Sequence, residues 1–512
     1  MQKKWLRVVF RRRVFVILIL LIQTGFLLFL IAGSSMYFHY LSWTLNVISI
    51  MVAVYVLNKK EKAAYKLTWI FLILMIPIFG GAMYIFFYLQ SNPRKVRRRI
   101  ARVEKETGPF FTLGGNRLPS FAAAHPGLLP QARYLEEYAH FPVYTNTETE
   151  YFPSGEAFFE RLMEELEKAE RYIFLEFFIL RRGVMLNPII ALLERKVREG
   201  LDVRIIYDDL GCFLSLSPGF KQHLERNGIK CIVFNPFKPI LSSLQNNRDH
   251  RKIVSIDGKT AFTGGMNLAD EYINAYERFG HWKDAAIMLR GEAAWSLTLI
   301  FLQTWNMSLD KKNDDYLSYY PWRDGPGGFV SDGFVQPYAD SPMDDENVGE
   351  HVYIRIINNA REYVYINTPY LVVDDNLLSA LTLAAKSGVD VRIITPHRWD
   401  KWFVAITSRS YYRQLVNAGV KVYEYTSGFN HSKTFVSDDS IATVGTTNLD
   451  FRSLYLHFEV GVVLYHSKSV MAVKEDFLKT IPVSHRITLA DCARNAFQQV
   501  IQDLFRIFAP LM

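Results

Sequence analysis

Cysteine is scarce: 512 residues contain only Cys212, Cys231 and Cys492. Three scattered thiols cannot make a disulfide framework or a four-ligand zinc site, so buried free thiols are expected. No cluster of carboxylates suggests a required Mg²⁺ site, and no cofactor is called for. Acidic residues are scarce in the N-terminal fifth, where residues 1–106 hold 17 Lys+Arg against 3 acids, leaving 42 against 48 for the remainder. The basic pI therefore comes from the N-terminus. The acidic remainder takes away the main support for nucleic-acid binding.

Three apolar segments, at about 14–33, 36–57 and 68–89, are each long enough to span roughly 30 Å of hydrocarbon. They predict an N-terminal transmembrane helical module over residues 1–106. The first is too long for a signal peptide core and lacks a clean cleavage site. Basic clusters at 3–13, 59–66 and 94–105 all belong in the cytoplasm by the positive-inside rule. Three full crossings would separate the first cluster from the last. Pro77 and Gly80-Gly81 interrupt the third segment, so two crossings plus a re-entrant element are expected. That makes a multi-pass protein of the cell membrane with its catalytic domain facing the cytoplasm. Its positive flanks suit an anionic membrane surface.

Two segments share one pattern. His250, Lys252, Asp257, Gly264 and Asn267 stand at the same five offsets as His431, Lys433, Asp438, Gly445 and Asn448. Each residue type has a base rate of about 1 in 20, so two matches in register point to one site built from two halves. The residue types suit attack on a phosphodiester, which needs a nucleophile, a proton source and cations over the phosphoryl oxygens. Imidazole can be the nucleophile or the acid; Lys252, Lys433, Asn267 and Asn448 can donate to phosphate. Both motifs read as β stretches, in which each His and its Lys would share a face. Asp257 and Asp438 belong to the catalytic motifs, but they open turns and are read as framing residues. Asp284 and Glu459 follow the motifs in parallel places and are read as orienting carboxylates, Asp284 for His250 and Glu459 for His431.

The duplication extends further. Glu-Gly-Leu-Asp-Val-Arg-Ile-Ile at 199–206 matches Ser-Gly-Val-Asp-Val-Arg-Ile-Ile at 387–394. β-type runs alternate with the amphipathic stretches Ile189–Arg198 and Leu377–Lys386, which predicts α/β halves with pseudo-twofold symmetry. The expected organisation is a linker at 107–150, a first half at 151–307, a connecting segment at 308–348, a second half at 349–484 and a C-terminal amphipathic tail at 485–512. The tail has apolar residues at helical spacing, suited to packing on the domain or to docking on a bilayer surface.

These motifs resemble those of the phospholipase D superfamily, and more narrowly the bacterial cardiolipin synthases. Gly-Thr-Thr-Asn-Leu-Asp-Phe-Arg-Ser at 445–453, the His-Phe-Glu that follows, and Trp282-Lys283-Asp284 carry the narrower likeness. Lys283 stands where that family has Arg, and His457 where it has Asn. The resemblance implies a metal-free ping-pong transfer between membrane phospholipids. One phosphatidylglycerol gives its phosphatidyl group to a histidine and releases glycerol; a second then accepts the group, giving cardiolipin. His250 is expected as nucleophile and His431 as acid, then base, with Arg452 and Ser453 as further candidates for lipid phosphate. Hydrolysis, transfer to another alcohol, or a membrane-tethered nuclease would use the same residues.

Overall fold

The computed structural model describes residues 24, 36–75, 81, 84–85, 93–237, 243–309, 315–322 and 328–511. Two sheets dominate it. The first has seven strands in the spatial order Thr147–Phe152, Ala286–Gly291, Thr260–Gly264, Ile253–Ile256, Tyr172–Phe177, Asp202–Asp208 and Lys230–Phe234. The second repeats that order with Phe334–Asp340, Glu459–Tyr465, Ile441–Gly445, Thr434–Ser437, Tyr363–Asn367, Asp390–Pro396 and Lys421–Tyr425, and adds Ser484–Arg486 at its far edge.

Within each sheet the repeated apolar runs form parallel strands: Tyr172–Phe177 beside Asp202–Asp208, and Tyr363–Asn367 beside Asp390–Pro396. Such strands are covered on both faces, which explains their near-continuous apolar sequence. The predicted amphipathic stretches are the helices Leu186–Arg198 and Asp375–Lys386, which make the crossovers. Gly200 and Gly388 follow them at φ 96° and 98°, a left-handed conformation that stops a helix without a Cβ clash.

One apolar core joins the halves. Ile287 and Leu289 from the first sheet, Val460 and Val462 from the second, and Trp295 and Phe301 from the helix Ala294–Ser308 are buried together. Neither half would hide these side chains alone, so their removal from water favours the docked pair.

Several expectations change. Residues 107–150, read as a linker, carry the helices Leu118–Ala124 and Leu129–Glu137, and Phe121, Ala132, Leu135 and Val143 pack into the second half's core. Helices of seven and nine residues, each opened by a proline, are too short to show a period. The connecting segment contributes Phe334–Asp340, an edge strand, where Pro337 leaves no central ladder bond unmade. The multi-pass transmembrane module is not supported, because no helix among the described residues is long and apolar enough to cross a membrane. Met36–Leu57 is a 22-residue helix that carries Thr44, Asn46 and Ser49, and Ala63–Met75 has 13 residues, roughly 20 Å of helix. All of segment 14–33 except Thr24, and the stretch around Pro77 and Gly80, lie outside the described residues.

Candidate active site

The paired motifs meet at one cavity of about 580 Å³, lined by His250, Asn267, His431 and Asn448 among others. Each His and Lys lies in the connection just before a motif strand, Ile253–Ile256 or Thr434–Ser437, rather than within it as expected. There Lys252 Nζ donates to the His250 carbonyl at 2.5 Å, and Lys433 Nζ donates to that of His431. The strand begins only after the Lys because the segments ahead of each His pair with the opposite half. Asp249 forms a parallel bridge with Phe458, and the His250 N–H donates to the Phe458 carbonyl at 3.0 Å. Gly428–Asn430 runs parallel to His281–Lys283, and the His431 N–H donates to the Lys283 carbonyl at 2.7 Å.

That crossing reverses the expected carboxylate pairing. His250 Nδ1 lies 2.9 Å from Glu459 Oε1, and His431 Nδ1 lies 2.6 Å from Asp284 Oδ2. Each histidine is held by the other half's carboxylate, because the small inter-half ladders run straight into those acids. Glu459 also accepts from the hydroxyls of Ser453, at 2.7 Å, and Thr446. Ser453, a candidate for lipid phosphate from sequence, instead buttresses this carboxylate. Asp284 is steadied by the Ala285 N–H at 2.8 Å.

Burial pushes the His250 pKa well below the usual imidazole range, with Lys252 and Lys433 adding to the effect. His431 is pulled down to about 4, by burial first and Lys433 next. Burial also lowers Lys252 to about 7 and Lys433 to about 8, and raises Glu459 to about 7. With Nδ1 of each imidazole committed to a carboxylate, Nε2 is the nitrogen left for chemistry. Two such nitrogens with two nearby ammonium groups supply a nucleophile, a proton carrier and charge for a phosphoryl group.

Asp257 and Asp438 stay away from the cavity. The Asp257 carboxylate accepts the backbone N–H groups of Glu170, Arg171 and Tyr172, all at 2.8 Å. Asp438 does the same for Arg361, Glu362 and Tyr363 at 2.7–3.0 Å. They tie each motif hairpin to the start of a central strand. Gly445 is fixed by crowding, since a Cβ there would stand 2.6 Å from the Val460 carbonyl oxygen. Asn267 Oδ1 accepts from the Ile179 N–H at 2.9 Å, and its amide donates to the Tyr272 hydroxyl at 2.6 Å, so one amide hydrogen remains for a ligand. Asn448 Oδ1 is buried without a partner. Lys283 is bound to Asp476 at 2.6 Å.

Sequence reasoning gave no role in the site to Tyr272, Trp282, Thr446 or His457, although Trp282 and His457 entered the family likeness. Tyr272 and Trp282 pack on the His431 ring, with centroids at 5.6 and 5.2 Å. Thr446 had a signal, as the second residue of Gly-Thr-Thr-Asn; Tyr272 had none. His457 lines the cavity with its ring 5.5 Å from that of His250 and with both ring nitrogens buried and without a hydrogen-bond partner, Nδ1 standing 3.8 Å from Glu459 Oε1. Its pKa is well below the usual range, from burial and then His250 and Arg452. Ligand atoms of His250, His457 and Glu459 lie within 4.8 Å of one another. The adjacent Lys252, Arg452 and Arg248 make this a poor place for a further cation.

Comparison with known proteins now bears on this geometry. The model of a family described as "Cardiolipin synthase, PLD-like domain" matches residues 162–287 and 353–481. A cardiolipin synthase of Geobacillus sp. (strain WCH70) is 35% identical over 90% of this chain and 92% of its own length. The chain belongs to the cardiolipin synthase family. A second family model, phospholipase D-nuclease N-terminal, matches residues 47–87 of this family member. An uncharacterized protein of Streptococcus mutans is 42% identical over 90% of this chain and 99% of its own. The crystal structure of a phosphatidylserine synthase from Haemophilus influenzae superposes with a TM-score of 0.55, covering 72% of this chain and 95% of that one at 14% identity. That likeness speaks to the shared two-half α/β fold.

Proposed function

We propose that this cardiolipin synthase family member condenses two phosphatidylglycerol molecules into cardiolipin and glycerol at the membrane. The reading rests on the crossed pairing of His250 with Glu459 and His431 with Asp284, which leaves one Nε2 from each half for the same cavity.

In the first step His250 Nε2 attacks phosphorus, the bond to the headgroup oxygen breaks, and His431 gives the departing glycerol its proton. Burial first and Lys433 next keep His431 from holding that proton, and the arriving phosphate anion offsets the lysine charge. Lys252, Lys433, Asn267 and Asn448 donate to the phosphoryl oxygens. In the second step a headgroup hydroxyl of the other phosphatidylglycerol loses its proton to His431 and forms the new P–O bond. The P–N bond to His250 then breaks and the enzyme is restored. Arg452 lines the same cavity with its Nε buried and unpartnered, and it can meet a lipid phosphate.

The test uses purified protein in phosphatidylglycerol vesicles containing EDTA, with lipids read by mass spectrometry beside free glycerol. Equal amounts of cardiolipin and glycerol, lost in His250→Ala, are expected. Phosphatidic acid without cardiolipin would make the enzyme a hydrolase.

A further inference from the structure

The C-terminal helix Ala496–Ile507, capped by Asn495, uses only part of its circumference against the protein. Phe505 meets the Trp402 ring at 5.4 Å, Arg506 lies over Tyr411 at 4.4 Å, and the Ile507 carbonyl accepts from the Thr68 hydroxyl at 2.7 Å. Phe497, Val500, Leu504 and Ile507 are left exposed, the first two by 74% and 63%. Their spacing of three, four and three residues places them in one stripe. Only Asp503 and Arg506 are charged, so nothing on this helix supplies a strong electrostatic partner.

Two connections indicate what covers the stripe. The chain turns after the helix at Ala509–Leu511, and Leu511 lines the catalytic cavity. Both the helix and this turn touch Ala63–Met75, which exposes Leu67 and Leu74 in turn. The exposed apolar residues of the two helices thus flank the segment that reaches the mouth that must admit acyl chains. We infer that the tail helix lies in the plane of the bilayer surface, its stripe among the acyl chains, and seats the cavity mouth on the lipid. The inference rests on the reading that the substrate is a bilayer phospholipid.

The experiment places a fluorophore at V500C in the full chain, with the buried native thiols left in place and E199C, at the end of a first-half helix, as control. The protein is reconstituted in phosphatidylglycerol vesicles carrying brominated acyl chains. Quenching at position 500 but not at 199, persisting in about 0.5 M salt, is expected. A triple variant, Phe497→Ser with Val500→Ser and Leu504→Ser, should lose roughly ten-fold or more turnover on vesicles while matching the wild type in detergent mixed micelles. Equal quenching at both sites, none at 500, or shielding of 500 by a second copy or by this chain's own N-terminus would overturn the inference. Quenching at 500 in a wild-type protein that makes no cardiolipin would leave the docking standing and remove the substrate assignment.

Discussion

Replacing Glu459 with Gln tests the crossed pairing and the assignment of the nucleophile together. The Ser453 hydroxyl donates to Glu459 Oε1 and the Thr446 hydroxyl to Oε2, while His250 Nδ1 lies 2.9 and 3.0 Å from the same two oxygens, so an amide there brings an NH₂ within reach of Nδ1 whichever way it is turned. With that NH₂ donating to Nδ1, His250 carries its proton at Nε2, which removes the lone pair proposed to attack phosphorus. Fixing the wrong tautomer of a catalytic imidazole costs about 10²–10⁴ in rate, equivalent to about 2.7–5.4 kcal/mol on the barrier. A donor lipid with a p-nitrophenol headgroup isolates the step, because that leaving group needs no acid. The first turnover appears as a burst of nitrophenolate. Glu459→Gln should abolish the burst. Asp284→Asn, which disturbs His431, should spare it and slow the release of phosphatidyl-enzyme instead. A burst rate for Glu459→Gln within ten-fold of wild type would refute the tautomer argument. Loss of the burst in Asp284→Asn alone would make His431 the nucleophile.

Three further outcomes follow from the same geometry. Lys252 and Lys433, lowered to about 7 and about 8, lose their charge as pH rises from about 6 to 9. Phosphodiester binding should weaken over that range and be accompanied by proton uptake in calorimetry; binding that strengthens toward pH 9 would contradict it. His457→Phe leaves no donor or acceptor for a substrate hydroxyl and should raise KM about ten-fold with little change in kcat, whereas His457→Asn should restore it; identical KM values would remove His457 from the site. Glu176, buried with Asp249 beside it, has its pKa raised well above the carboxylate range by burial first and Asp249 next. The native state therefore keeps a proton there to higher pH than the unfolded chain does, so this group makes wild-type stability fall as pH rises above about 4.5. Glu176→Gln should keep activity and flatten that slope in denaturant melts between pH 5 and 8.

The twofold plan was legible because it is written in residue types at fixed intervals. Asn367 and Asn430 show where legibility ends. They occupy the places of Glu176 and Asp249 in the other half, as the repeat aligns them, but the amide hydrogen bond of 2.9 Å that joins them could not be read from residues 63 positions apart. The carboxylate partners were misassigned for a related reason. Asp284 lies nearer to His250 in sequence, but the pairing is decided by which strand docks alongside each histidine, and that depends on how the halves face each other. The short helices at 118–124 and 129–137 and the edge strand 334–340 were hidden by prolines. The parallel pairs Tyr172–Phe177 with Asp202–Asp208 and Tyr363–Asn367 with Asp390–Pro396, by contrast, follow from the alternation of apolar β runs and amphipathic helices.

The crossed carboxylates have a consequence for the life of the chain. His250 is synthesised 209 residues before Glu459, so a nascent chain has its first histidine long before the group that gives it the right tautomer. An enzyme able to cut open phospholipids would be hazardous beside a membrane while half made. Here the proposed nucleophile stays unarmed until translation has passed Glu459 and the second half has closed on the first, and the docking of the two halves becomes the safety catch.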